Sequence, residues 1–251
     1  MSSGKVFLAG ASGAIGTRLT PLLVSAGYEV FGTTRDAQKA ARIEAGGATP
    51  VIVDVFDVAA LAREVDRVRP FAVVHQLTDL PYGLDRSLMA AAVVRNAEVR
   101  RTGTQNLVQA ALRAGCARMI SQSVAWLYAK GPAPFIETDP LDLDPAAPSA
   151  ASVGGVVALE QLTLATPSIK GTVLRYGRIY GPGTGFDSPS APPAVHVDAA
   201  AHAALLALQS ELEGIFNIAE ALGDVDSSRA HEQLGWRASF RLAAAGAPGA
   251  D

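Results

Sequence analysis

Three glycines, Gly10, Gly13 and Gly16, stand at the spacing G-x-x-G-x-x-G, directly after the apolar run 6–9 and directly before a helical pattern. In that setting each has its own task. The first allows a tight turn, the second lets the backbone approach a pyrophosphate, and the third permits close helix–strand packing. Ser12, Ala14 and Ile15 complete the cradle, and the amides of the helix start point at the phosphates. The expected ligand is a nicotinamide dinucleotide. A P-loop is excluded, because Gly16 is followed by Thr17 and Arg18 rather than by a Lys-Ser/Thr pair. The second apolar run ends Gly32-Thr33-Thr34-Arg35, without an acid to grip a ribose 2′-hydroxyl. Thr34 and Arg35 instead suit a 2′-phosphate, so NADP is expected ahead of NAD, with NAD as the alternative. Asp36 competes for the ribose, but it also stands where a helix N-cap belongs. Neither the four histidines nor the single cysteine falls in a cluster with metal-ligand spacing, and no metal is expected. His75 lies inside an apolar run, where a packing histidine is the expected reading.

These residues need a scaffold, and the apolar pattern supplies one. Short runs at 6–9, 29–33, 50–53, 71–77, 118–121, 172–176 and 214–218 read as strands. Between them, 15–26, 36–45, 57–68, 84–114, 149–165 and 197–208 read as helices. This alternation predicts an α/β chain with a doubly wound parallel sheet, a Rossmann fold, carrying a small C-terminal substrate region. Residues 1–170 are expected to form the dinucleotide-binding core. Residues 171–251 complete the sheet and a reduced substrate region within the same folding unit. The proline-rich stretches 131–149 and 181–193 follow strands and are candidate pocket walls.

With 251 residues and 49% hydrophobic content the chain can bury one substantial core. A net charge of −3 gives no reason to expect nucleic acid or an anionic membrane as partner. No apolar stretch approaches the roughly 18 residues of a membrane span, and the first residues lead into a strand without the pattern of a secretory leader. With one cysteine and no leader pattern, a cytoplasmic location is expected.

Asp54-Val55, Val73-Val74-His75-Gln76-Leu77, Gly103-Thr104-Gln105-Asn106-Leu107, Leu174 through Gly183, His196-Val197-Asp198, Phe216-Asn217-Ile218-Ala219 and Leu234-Gly235-Trp236 join the glycine turn in one pattern. Together they resemble the extended short-chain dehydrogenase/reductase superfamily, in its NAD-dependent epimerase/dehydratase branch. The resemblance implies Asp54 and Val55 at the adenine, and Gln76, Leu77 and Thr78 along the ribose and phosphates. It implies Tyr176, Gly177, Arg178 and Ile179 near the nicotinamide. It also implies a carbonyl-polarising serine at the end of the fifth strand, where Ser121-Gln122-Ser123 stand, with Ser123 the closer match.

The chain departs from that family where proton transfer belongs. No Tyr-x-x-x-Lys occurs, and by register from Glu160 the tyrosine position is Ser152 and the lysine position Val156. Serine is a poor acid, and valine can neither hold a ribose nor lower a neighbour's pKa. Tyr128, with Lys130 nearby, is the expected substitute, and Tyr82 the second candidate. The expected activity is an NADP-dependent oxidoreductase or epimerase acting on a small carbonyl, hydroxyl or sugar-like substrate. The alternative is a non-catalytic NADP-binding sensor or structural protein. A homodimer, as in the resembling family, would use helices 84–114 and 149–165, through Leu159, Leu162, Leu164, Gly154 and Gly155.

Overall fold

The computed structural model describes residues 4–221 and 223–243. Its centre is a seven-stranded sheet of β1 (Lys5–Ala9), β2 (Glu29–Thr34), β3 (Thr49–Ile52), β4 (Ala72–His75), β5 (Arg118–Val124), β6 (Lys170–Tyr176) and β9 (Gly214–Ile218). Every pairing is parallel, in the order β3-β2-β1-β4-β5-β6-β9. A parallel sheet must be covered on both faces, and β1 shows how its sequence meets that demand. Val6 and Leu8 enter one core with Leu19 and Leu23 of α1 (Ala14–Ser25) and the alanines of α7 (Val197–Gln209). Phe7 and Ala9 enter a second core with Leu61 and Val65 of α3 (Val58–Val68) and Leu107 of α5 (Thr104–Arg113). All four strand residues are at most 1% exposed. Full burial of such an apolar side chain contributes about 1.5–3 kcal/mol before chain entropy is counted.

The outer layer has details that the pattern of apolar residues leaves out. The single helix expected over 84–114 is divided into α4 (Arg86–Glu98), a π-helical turn at Val99–Gly103, and α5. The helix expected from Asp36 begins as a 3₁₀ turn, Ala37–Lys39, before α2 (Ala40–Ala45), and the Asp36 carboxylate accepts a hydrogen bond from the Gln38 amide at 3.0 Å. A two-stranded sheet of β7 (Arg178–Tyr180) and β8 (Ala194–His196), together with α8 (Ser228–Gln233), was not anticipated. Of the residues expected at a dimer face on α6 (Ala150–Leu164), Leu159 is buried at 1% exposure and Leu162 packs on the second core. Gly155 lies against Ala97 of α4. Only Gly154 and Leu164 of that set point outward. Among the described residues no helix is long and apolar enough to cross a membrane.

Strand order reverses between β1 and β4, and in open α/β sheets ligands bind outside the carboxyl ends of the strands at that point.

Candidate active site

At that switch point opens a cavity of about 870 Å³, within the roughly 300–1,000 Å³ of typical ligand sites. Its floor is the glycine turn. Gly10 has φ +91°, a left-handed conformation that glycine adopts without strain, and a β-carbon there would press into the backbone of Gln76. A β-carbon on Gly16 would overlap the carbonyl oxygen of Gly10, so α1 can start this close to the turn only with glycine. Gly13 differs, since its missing β-carbon would meet nothing nearer than 3.4 Å. That leaves the backbone open toward the cavity. The turn is tied to β2 by the Gly10 amide, which donates to Thr33 Oγ1 at 3.1 Å, and by the Ala11 amide, which donates to the Thr33 carbonyl. Helix α1 has no capping side chain and no acid in its first turn, so its amides and positive dipole end remain available to an anion.

Around this floor the structure gathers most of the residues named from sequence. Gly10, Ser12, Gly13, Ala14, Ile15, Thr34, Arg35, Asp54 and Val55 line the cavity. So do Gln76, Leu77, Thr78, Tyr176, Gly177, Arg178 and Ile179. Gly16 lies behind the wall in its packing role. Arg35 is joined at the end of β2 by Lys39 and Arg42, cations the sequence reading did not single out, all three lining the same corner. Arg35 also donates to Asp79 at 3.0 Å, and Arg95 of α4 reaches the other carboxylate oxygen at 3.1 Å. Burial works against the charge of Asp79, but hydrogen bonds and charge from Arg35 and Arg95 prevail and hold its carboxyl below the usual range.

Two buried polar side chains on the wall are unspent. Both amide atoms of Gln76 and the hydroxyl of Tyr176 lack a well-formed hydrogen bond to the rest of the protein, although the residues are 5% and 1% exposed, and the nearest polar company each has is the other. Burial pushes the Tyr176 phenol well above its ordinary pKa, so it stays protonated. Open glycine backbone, an uncapped helix start and orphaned polar atoms at the end of β4 fit a dinucleotide.

The residues expected to react are placed differently. Ser123 is fully buried and off the cavity wall, donating to Glu160 at 2.7 Å. Glu160 is also gripped by Arg175 through Nε at 2.8 Å and Nη2 at 2.7 Å. Arg175 Nη1 donates to the Tyr128 hydroxyl at 2.9 Å, and Tyr128 donates to Asn217 at 2.6 Å. Burial raises the Tyr128 pKa, with the neighbouring Arg175 charge working the other way. Ser121 accepts from Thr163 at 2.8 Å and is likewise off the wall. Ser123 and Tyr128 thus belong to one closed network, and Ser121 to a separate contact with α6. The physical reason is strand parity: β5 runs to Val124, so Gln122 and Val124 face the cavity while Ser121 and Ser123 face α6.

Of the remaining proton-transfer candidates, Ser152 lines the cavity, Val156 is buried in an apolar cluster with Val124, Leu127 and Val153, and Tyr82 lines the mouth at 78% exposure. His75 is buried and bonded through Nε2 to Thr104 at 3.0 Å. Burial, with the Arg100 charge adding to it, lowers its pKa to about 3. It is a neutral packing group, as expected from its setting. No histidine, cysteine or glutamate lines the cavity among the described residues, nor do they contain a group of metal-ligand type. Beyond the glycine turn the wall carries the apolar side chains of Leu80, Pro81, Leu84, Met89, Val93, Val124, Trp126 and Phe186 beside the polar ones of Asn96, Arg100, Gln122, Ser152 and Thr184.

Residues 6–193 match the model of the NAD dependent epimerase/dehydratase family. The chain is 36% identical over 237 residues to a 3-diazoavenalumate denitrifying reductase of a Streptomyces species, covering 86% of this chain and 76% of that protein. Its fold is similar to that of a UDP-glucose 4-epimerase from Thermotoga maritima crystallised with UDP-glucose, with TM-score 0.75, 20% identity and 94% coverage of both chains. It is also similar to the UDP-glucose 4-epimerase of Thermus thermophilus in complex with NAD, with TM-score 0.74, 22% identity and 95% coverage of both.

Proposed function

The chain belongs to the NAD dependent epimerase/dehydratase family, and we propose that within it this enzyme is a reductase using NADP(H) on a small, largely apolar electrophile. One observation carries the reading. The dinucleotide half of the cavity carries an open glycine turn and an uncapped helix start, while the described side chains lining the other half include no histidine or glutamate and no Tyr-x-x-x-Lys pair, Tyr82 standing only at the mouth and the Asp79 carboxylate being held by Arg35 and Arg95. Epimerisation or alcohol oxidation needs a positioned base for a hydroxyl proton, and losing one typically forfeits 10²–10⁴-fold in rate. Here Ser152 and Val156 stand at the two positions concerned, and the Tyr176 phenol is held protonated by burial.

In this reading Gly13 and the first turn of α1 hold the pyrophosphate, and Gln76 reaches the ribose. Arg35, Lys39 and Arg42 take the 2′-phosphate while Asp36 is occupied with its cap. When bound in reduced form, the cofactor supplies a hydride. Val124, Trp126, Met89 and Phe186 exclude water and hold the apolar body of the acceptor. Such a site suits an acceptor whose reduction needs no proton from the protein. An aryl diazonium is one: hydride addition and loss of dinitrogen convert ArN₂⁺ to ArH. The Streptomyces relative is named for a diazo compound and for a denitrifying reduction, which supports this substrate class. A dimer through the outer faces of α4 and α6 is proposed alongside.

The test is to follow NADPH consumption with a panel of aryl diazonium salts, aldehydes, ketones and UDP-glucose. Diazonium reduction with release of dinitrogen, and no sugar epimerisation, is the expected result. Efficient UDP-glucose epimerisation would overturn the reading, and binding of NADP(H) without turnover on any arm would favour a sensor. Calorimetric titration of both cofactors decides NADP against NAD. Tighter NAD⁺ binding, or an Arg35→Ala variant with unchanged NADP⁺ affinity, would remove the 2′-phosphate assignment.

A further inference from the structure

Arg100, Arg118 and Arg175 are each no more than 5% exposed. Arg118 donates to the carbonyls of Ala207, Ser210 and Leu212 at the end of α7. Arg175 donates to Glu160, to the Tyr128 hydroxyl and to the Glu137 carbonyl. The Arg100 side chain forms neither a hydrogen bond nor a salt bridge with any described residue, yet it lines the cavity. It sits in the π-helical turn Val99–Gly103, a local widening that recurs at functional sites.

The charges around it do not balance. Glu160 is the carboxylate whose field Arg100 feels, and that carboxylate is already held by Arg175 and Ser123. One negative charge therefore serves two guanidiniums. His75, also close enough to feel Arg100, is neutral and bonded to Thr104. Arg178, another cation of this wall, donates to the Pro192 carbonyl at 2.7 Å and lies over the Trp126 ring. Burial lowers the Arg100 pKa only to about 10, so the group keeps its charge and all five donors at neutral pH. A buried, charged and unpaired fork is costly unless an anion completes it.

We infer that Arg100 is the anchor for a carboxylate on the apolar ligand that fills the half of the cavity lined by Met89, Val124 and Trp126. The planar guanidinium matches two carboxylate oxygens at once, which a neutral ligand cannot exploit. The inference rests on reading that half as the substrate half, and it narrows the substrate to an anionic one.

The test is binding rather than turnover, so it stands apart from the diazonium question. NADP⁺-loaded protein is titrated calorimetrically with cinnamate and with cinnamamide, which differ in charge but hardly in shape. Cinnamate is expected to bind about tenfold or more tightly. In Arg100→Met that preference is expected to vanish, with NADP⁺ affinity within about twofold of the parent and an unliganded melting temperature no lower. Equal binding of the two probes by the parent overturns the inference, and so does a preference that survives in Arg100→Met. A loss of NADP⁺ affinity of about tenfold or more in that variant would place Arg100 on the cofactor and overturn it too. Should Arg100→Met fail to fold, Arg100→Gln and the parent's own preference decide the matter.

Discussion

Two sets of buried polar groups lie close together at the carboxyl end of the sheet, and they are arranged in opposite ways. In one, Ser123, Glu160, Arg175, Tyr128 and Asn217 bond to one another across β5, β6, β9 and α6. In the other, Gln76 and Tyr176 line the cavity with buried polar atoms lacking a well-formed partner, and Arg100 lines it with a guanidinium that no described residue pairs. Since buried polar groups are normally hydrogen-bonded, the first set is explained by folding alone and the second is not. The residue type is a poor guide to which set a group joins. A serine and a tyrosine that chemistry would recruit belong to the closed network, while an amide, a phenol and a guanidinium with no obvious catalytic part face the cavity.

Substitutions in the two sets should therefore differ in kind, and the largest effect belongs to the closed one. Glu160→Leu leaves the Arg175 guanidinium buried without its partner, in a pair whose side chains are 4% and 8% exposed. The expected loss is about 3–5 kcal/mol of stability, read from urea unfolding. A loss below about 1 kcal/mol would mean the network is not closed.

Gly16→Ala comes next. The overlap with the Gly10 carbonyl must be relieved by moving α1 or the turn, at about 1–3 kcal/mol, and dinucleotide binding should be lost even where the protein stays folded. Calorimetry on the folded variant checks this, and an unchanged affinity would separate the turn from the cofactor.

His75 sharpens the comparison through pH. Its folded pKa, about 3, lies below the ordinary value of about 6.5, so the unfolded chain binds the proton first on acidification. Its contribution is constant above pH ~6.5, and stability falls between there and pH ~3 by at most about 1.4 kcal/mol per unit. His75→Gln should flatten that part of the stability–pH curve, and an identical slope in the variant would contradict a neutral buried ring.

Ser123→Ala should cost about 1–2 kcal/mol, because Arg175 still satisfies Glu160, and should leave NADP(H) affinity unchanged. The smallest effect, and the one with the opposite sign, belongs to the open set. Gln76→Leu removes two polar atoms that have no well-formed hydrogen bond, so stability should hold or rise by up to about 1 kcal/mol while cofactor affinity falls. Thermal unfolding with and without NADP⁺ measures both halves of that statement.

Much of this was legible in the sequence, and the rest was hidden for identifiable reasons. The glycine turn is local: strand, three glycines and helix are consecutive, so its geometry follows from spacing. The cap at Asp36 is local as well. The direction of Ser123 is not. In a parallel strand buried on both faces, Met119-Ile120-Ser121-Gln122-Ser123-Val124 shows no alternation of polar and apolar residues, so parity can be read only from where the strand ends. Ending it at Ser121 concealed that parity. Arg100 was missed because a π-helical turn leaves no mark in composition, and Lys39 and Arg42 because they reach the cavity only when the 3₁₀ turn and α2 fold back toward β3.

That π-helical turn also bears on how the gene can change. A five-residue turn holds roughly one residue more than an α-helix would, and one residue advances a helical side chain by about 100°. Helix α4, the turn and α5 all pack on α6, α5 packs on α3 as well, and the extra residue of the turn sets the phase in which one continuous segment meets both partners. Deleting a single residue from 99–103 would give a straighter helix but rotate one contact face away from its partner. A codon-length deletion there, unlike one in a surface loop such as 131–149, would force a choice between the wall that carries Met89 and Val93 and the second core.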